Sequence, residues 1–458
     1  MANASTRPLS SVAQTMSKAR ALLAEGQAVS AELILRTLVE REPSVFDAWL
    51  LLADLAEQRG DGERARHCLT EATVQAPQDN ALALAVAHKQ LVAGYVDATI
   101  DTLSLVIERE PNSVVAWVML GDALDLVDMH ELAMRARHQG VLRGQRSGQL
   151  LDMPSTPPVL HPVIHSIINE VNHQRSSRIT DTLARMREQF GADALKRVEH
   201  NMAVYLEQIQ DAPPSPHQQP KFMFFPGLPP GPYHDPHLHP WTAKLVAAFD
   251  DIRAEAQAVL DTEGALQTFL TFKKGQNVDE YVGGDGKNRS WDAFFFYRHG
   301  KRIDEHHAMC PKTSALLESI ERCEVDGQAP EICFSVLQPG TRIMPHHGVT
   351  NTRVVLHLPL IVPGDCALLV HGGGEHVWKE REPMMFDDTY LHEAWNRSDE
   401  LRVVLLLDCW NPHLTAEERV AVRHLTEAIS AYETFPTGDL RNLADLVRSR
   451  AAAAPVVE

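Results

Sequence analysis

The chain has 458 residues, 44% hydrophobic and 23% charged, the composition of a globular protein with room for two to four domains at roughly 100–200 residues each. Its 43 Lys and Arg against 61 Asp and Glu give a formal charge of −18, which argues against the basic face that nucleic acid or an anionic membrane requires. No apolar run approaches the ~18 residues of a membrane span, and the first ten residues lack the basic-then-apolar order of a signal peptide. Six cysteines without a C-x-x-C fit a reduced, cytoplasmic chain better than a disulfide scaffold or a structural zinc site.

Pro43, Pro77 and Pro111 recur every 34 residues, the period of tetratricopeptide repeats. Trp49, Leu52, Ala65, Leu69 and Ala72 fill one repeat, and Trp117, Leu120, Gly121 and Ala133 fill the same slots two repeats on. Small residues let paired helices approach, Leu and Trp fill between them, and Pro closes each second helix. The array is expected over 11–145. Such arrays usually present a face to a peptide or protein, although they can also only stabilise a neighbour.

Residues 146–220 read as a linker and helical segment. Pro-rich breaks lie at 153–158 and 212–220, and Val163, Ile164, Ile167, Ile168 and Val171 recur at helical spacing between them. After Lys221 the pattern changes to short β-branched or aromatic runs: 222–225, 294–297, 332–337, 353–362, 366–370, 383–386 and 402–407. Many short strands between turn residues predict a jelly roll over 221–432. Thr415 and Glu418 form a capping box for a helix reaching about Tyr432. Residues 433–458 read as a tail, frayed from Ala451 onward.

Several motifs fail. His371-Gly-Gly-Gly374 has no G-x-S-x-G partner, so hydrolase chemistry is rejected. The Gly283–Lys287 run lacks phosphate-loop spacing, and no H-E-x-x-H occurs.

The informative stretch runs from Pro339 to Pro412. His346 ends one short strand, His392 follows Phe386–Leu391, and Arg402 heads an apolar strand. Two imidazoles brought together by a jelly roll suit a non-heme ferrous ion. A buried Arg suits a bidentate carboxylate clamp. Together they are what an oxygenase using 2-oxoglutarate requires. The usual carboxylate two residues after the first His is absent, because that position is Gly348. On these residues alone, ordinary histidines in a chain with 23 of them remain the alternative.

The segment resembles the aspartyl/asparaginyl β-hydroxylase family of 2-oxoglutarate oxygenases. The resemblance lies in Ser335–Thr341, Pro345–Arg353, Phe386–Asn396 and Asp408–Pro412. Earlier matches are Phe225–Leu228, Tyr233–Pro236 with Pro240 and Trp241, and Cys310–Leu317. It covers about residues 222–425, and some members of that family also carry tetratricopeptide repeats. The resemblance implies Fe(II) held by two histidines without a carboxylate, with 2-oxoglutarate and O2 as cosubstrates. His346 and His392 would be the ligands. Ser335 and Arg402 would hold the distal carboxylate, and His357 would contact the cosubstrate. Asp388 would orient a ligand or iron-bound water. Where the family often has Arg two before this His, the chain has Val355; Arg353 is the candidate to compensate.

His347 is the competing ligand, although neighbours on a strand point to opposite faces. Asp387 and Asp388 could instead only form a turn. Trp241, Trp395 and Trp410 read as core, and His234, His237 and His239 as a polar loop. The expected reaction is hydroxylation of an Asp- or Asn-type residue in a peptide or protein, with the repeats helping to hold it. Alternatives are a free amino acid or lipid-linked small substrate, and a repeat scaffold whose oxygenase domain is inactive.

Overall fold

The 34-residue register of the prolines reappears as a register of helices. In the computed structural model, which describes residues 11–270, 278–287, 289–433, 435 and 440–453, the chain divides into two units. One is Met1–Arg175 with Ser430–Glu458, and the other is Ser176–Ile429.

In the first unit, eight helices pair in sequence: α1 (Ser11–Ala24) with α2 (Ala28–Arg41), α3 (Phe46–Gln58) with α4 (Gly62–Gln75), α5 (Asn80–Val92) with α6 (Val96–Arg109), and α7 (Val114–Asp125) with α8 (His130–Arg146). Ala31, Ala48, Ala65, Ala72, Ala116 and Ala133 are fully buried at the close approaches. Trp49 Nε1 donates to the Pro43 carbonyl and Trp117 Nε1 to that of Pro111, each at 2.9 Å. One contact thus ties a first helix to the turn before it in both repeats. The turn inside each pair needs a left-handed residue. Gly26, Gly60 and Gly94 supply it at φ 77°, 76° and 78°, and Asp128 fills the fourth slot at φ 55°.

The segment expected as a tail is helical over Leu440–Ala453. Its Leu440, Leu443, Ala444 and Val447 recur at helical spacing and join the apolar cluster of α6 and α7. Phe435 meets Trp117 edge-on at 5.3 Å, and Arg448 pairs with Asp97 and Asp101 of α6. Frayed ends are the rule only where nothing ties them down. Residues 454–458 lie outside the described residues.

The boundary between the units falls within the helix Ile164–Phe190. Ile164, Ile167 and Val171 pack with α7 and α8 residues, whereas Ile179 and Met186 pack with Val198, Met202 and Phe225 in the second unit.

The second unit is built from β1 (Tyr233–His234), β2 (Gln267–Thr268), β3 (Val282–Gly283), β4 (Trp291–Arg298), β5 (Lys301–Arg302), β6 (Ile332–Leu337), β7 (Thr341–His346), β8 (Arg353–Ile361), β9 (Cys366–Val370), β10 (Gly374–Val377), β11 (Met384–Phe386), β12 (His392–Asn396) and β13 (Arg402–Trp410). Among the described residues they form two antiparallel sheets, β1-β11-β8-β13-β6-β4-β2 with β5 beside β4, and β10-β9-β12-β7-β3. Apolar side chains of both sheets meet in one cluster, including Phe295, Val355 and Leu406 from the first sheet and Ile343, Leu368 and Val370 from the second. This is the jelly-roll arrangement expected from the strand pattern. The outer face of the large sheet is covered by helices Thr242–Ala247, Phe249–Leu260 and Pro311–Glu318. Burial on both faces explains why its strands read as continuous apolar runs.

Two local expectations change. Phe222–Phe225 is not a strand; Met223 only bridges to Thr350. Strands β7, β10 and β12, which the apolar-run reading passed over, are part of the small sheet. The capping box is present, with Thr415 N donating to Glu418 Oε2 at 2.9 Å and Glu418 N to Thr415 Oγ1 at 3.2 Å.

Candidate active site

His346 closes β7 and His392 opens β12, and the antiparallel register makes them direct cross-strand partners. Their ring centroids lie 4.1 Å apart. Each ring is held from behind by a backbone carbonyl: His346 Nδ1 donates to Met344 O at 2.8 Å and His392 Nδ1 to Tyr390 O at 2.9 Å. That assigns the proton to Nδ1 in both, leaving Nε2 as the free lone pair, the form a metal takes. Burial lowers both imidazoles, His392 to about 3, with His346 the next cause there. They therefore stay neutral in the working range.

Both rings line a cavity of about 510 Å³ between the sheets, together with Ser335, Arg353, His357, Asp388 and Arg402. The structure thus gathers all seven sequence-predicted residues at one cavity. His347 is not on its lining; its Nδ1 turns to the Thr389 carbonyl at 2.9 Å. The neighbouring aspartates also divide. Asp387 makes the turn, accepting from Thr389 N at 2.9 Å and from Gln218 Nε2 at 2.9 Å. Asp388 faces the cavity, where burial and then Asp387 push its carboxyl up to about 8. A Cβ built on Gly348 would run into that carboxyl group. The glycine is therefore required by what stands opposite it.

Arg402 is 1% exposed and makes no ion pair among the described residues. Its Nη1 reaches Ser335 O and Oγ only at 3.4 and 3.5 Å, and its Nε has no partner. Burial without a counter-charge pulls the guanidinium down to about 10. Ser335 Oγ accepts from Trp291 Nε1 at 3.0 Å, so its own proton is free to point elsewhere. His357 is buried with Nδ1 unpartnered and is held well below its usual range by burial and then Arg402. Arg353 faces Asp408 at 3.3 Å; its charge is already matched, so it does not stand in freely for the arginine absent at Val355.

Among the described residues, no group of three or more His, Cys, Asp or Glu side chains is arranged to hold a metal. The donor set is the histidine pair, and it fits a ferrous ion only if small ligands complete the shell. An uncompensated guanidinium on the same cavity fits an anion doing so. Trp241 and Trp410 are packed in apolar clusters, and His239 Nε2 bonds to the Trp410 carbonyl.

The class defined by this architecture is a two-sheet β domain with paired imidazoles and a buried anion-seeking arginine inside it. Comparison with known proteins agrees: residues 246–412 match the Aspartyl/Asparaginyl beta-hydroxylase family model and residues 22–88 a tetratricopeptide repeat model. The match to that family and the match to the repeat model lie in the same order as the β unit and the paired helices. Over 211 residues the chain is 33% identical to mouse Aspartate beta-hydroxylase domain-containing protein 2, covering 45% of this chain and 58% of that protein. It is 32% identical to human Aspartyl/asparaginyl beta-hydroxylase over 169 residues, 37% of this chain and 21% of that one. It is 33% identical to the Rhizobium tropici Ornithine lipid ester-linked acyl 2-hydroxylase over 184 residues, 40% of this chain and 61% of that one. The chain therefore spans under two thirds of each of these relatives. Among the described residues no helix is long and apolar enough to cross a membrane.

Proposed function

We propose that the Ser176–Ile429 unit is an Fe(II)- and 2-oxoglutarate-dependent dioxygenase that hydroxylates an Asp- or Asn-type residue in a peptide or protein. The observation that carries this reading is Arg402. A guanidinium buried without a counter-charge costs several kcal/mol, and a site keeps one when an anionic ligand offsets that cost. Its neighbours on the cavity are two neutral imidazoles with their lone pairs available.

In this reading His346 and His392 hold the iron through Nε2. Arg402 and Ser335 hold the distal carboxylate of 2-oxoglutarate, and His357 sits beside the cosubstrate. When bound, iron and 2-oxoglutarate supply the oxidation of a C–H bond by O2, with succinate and carbon dioxide as co-products. The chain's part is positioning and exclusion of water. The Met344 and Tyr390 carbonyls fix the imidazole tautomers, and Asp388, on the same cavity, would accept from or donate to a water at the metal. The cytoplasmic setting expected from the sequence is part of the proposal, as is use of the repeats to hold a polypeptide.

A second reading is hydroxylation of a small or lipid-linked substrate. It is supported by the similarity to an acyl 2-hydroxylase and by apolar cavity residues such as Ile343, Leu368 and Phe386. The inactive-scaffold alternative is disfavoured by the complete set of His346, His392, Ser335 and Arg402. The test is succinate formation from 2-oxoglutarate with Fe(II) and O2, for the unaltered chain and His392→Ala, with peptides containing Asp or Asn and with acyl substrates. Stimulation by peptides supports the first reading and by acyl substrates the second. No metal-dependent turnover with any of them rejects both.

A further inference from the structure

Three residues lining the cavity carry a buried polar atom without a hydrogen-bond partner among the described residues: Nε of Arg402, Nδ1 of His357 and Nε1 of Trp378. The sequence assigns the first two to the cosubstrate and says nothing of the third. Trp378 directly follows β10, at the edge of the small sheet, and is 2% exposed. Its ring carries the Arg402 guanidinium at 4.8 Å and lies 5.9 Å from the His357 ring. It therefore reaches from one sheet to residues on β13 and β8 of the other. Val355, on the same wall, offers no donor.

An indole N–H taken out of water without an acceptor is destabilising. Tryptophan usually finds a partner for it when buried. Here two unsatisfied donors, one of them charged, are packed against each other, and among the described residues neither is bonded to a carboxylate. One anion reached by both removes both deficits.

We propose that Trp378 is a member of the anion site: its ring face holds the guanidinium by a cation–π contact and its Nε1–H donates to the same carboxylate. The proposal rests on the cosubstrate reading above and deepens it. It makes Trp378 a determinant of the preference for 2-oxo acids that carry a distal carboxylate.

The experiment is calorimetric titration of the full-length chain with 2-oxoglutarate and, separately, with oxalate, both in anaerobic buffer with Mn(II). Oxalate keeps the metal-chelating end and lacks the distal carboxylate. Trp378→Phe keeps a ring and loses the N–H; it is expected to weaken 2-oxoglutarate binding about tenfold, the worth of one hydrogen bond to a charged acceptor, with oxalate unchanged. Trp378→Ala, which also removes the cation–π support, is expected to weaken it further. Equal losses for both ligands mark general damage to the cavity and overturn the proposal, as does a Trp378→Phe affinity for 2-oxoglutarate equal to that of the unaltered chain. If Arg402→Met leaves 2-oxoglutarate binding unchanged, the cosubstrate reading itself falls, and the role of Trp378 with it.

Discussion

The Asp388 carboxyl occupies the volume that a side chain at Gly348 would need. The position that holds a metal-binding carboxylate in the usual His-x-Asp/Glu arrangement is here closed by a carboxylate from another loop. Gly348→Ala is therefore expected to displace Asp388 rather than fill a void, destabilising the fold by about 1–3 kcal/mol as overpacking does, and to weaken Mn(II) binding. Thermal unfolding and a Mn(II) titration check this; unchanged values for both would refute it. Gly348→Asp is expected to fail as a restored third ligand for the same reason.

The histidine assignment predicts unequal effects from adjacent residues. His346→Ala and His392→Ala should each lower metal-dependent 2-oxoglutarate consumption by more than about a hundredfold, since changes one shell further out already cost ~10–100-fold. His347→Ala should retain most activity, because its ring turns to Thr389 and away from the cavity. Succinate release measures all three, and a His347 effect equal to the His346 effect would reverse the assignment.

Arg402 predicts a trade between stability and binding. Arg402→Met keeps length and apolar bulk while removing an unpaired buried charge. The ligand-free variant should be more stable than the unaltered chain by about 1–4 kcal/mol and should bind 2-oxoglutarate at least tenfold more weakly. Denaturant unfolding and calorimetry read the two effects. A destabilised variant would mean the guanidinium is satisfied by the protein itself.

Glu331, on the same cavity, gives a pH dependence. Burial, opposed by the His299 N–H, pushes its carboxyl up to about 7 from a usual value of 4.5. Its folded form therefore holds a proton that the unfolded form releases between those values. The residue costs nothing below about pH 4.5, and its penalty grows as pH rises, complete above about pH 7 at up to ~3 kcal/mol. Glu331→Gln, which keeps an acceptor for His299, should be the more stable chain at pH 8, with the gap closing toward pH 4.5. Parallel melting curves across that range would count against it.

Much of this architecture is legible in the residues. Prolines at 43, 77 and 111 reveal the helical register, and the same period runs through Gly26, Gly60 and Gly94, a signal the proline reading left unused. The fourth member is Asp128, which hides the period because a left-handed turn does not demand glycine. Strands β4, β6, β8, β11 and β13 of the large sheet are legible as apolar runs because the sheet is covered on its outer face; the two-residue strands β1, β2 and β5 are not. Of the site strands, β7 shows only its end at His346 and β12 does not show at all, because they carry the polar residues of the site. The order Thr-Arg-Ile-Met-Pro-His in β7 has neither an apolar run nor a clean alternation. The pairing of His346 with His392 could not be read from spacing, since antiparallel register depends on partners far apart in sequence. Trp378 was missed because a tryptophan among apolar strands reads as core until its N–H is found without an acceptor. The helix at Leu440–Ala453 did show its i, i+3, i+4, i+7 pattern, but the alanine-rich end that follows suggested fraying.

That helix has a consequence for how the chain can be taken apart. Because Ser430–Glu458 belongs with Met1–Arg175, the β unit is a guest inserted within a helical host, and the polypeptide passes between them twice. Deleting the amino-terminal repeats alone would strand Leu440, Leu443, Ala444 and Val447 as a bare apolar stripe, a recipe for aggregation rather than a clean test of the repeats. Separating host from guest takes two cuts, near 175 and near 430, and the host then has to be rejoined across the gap.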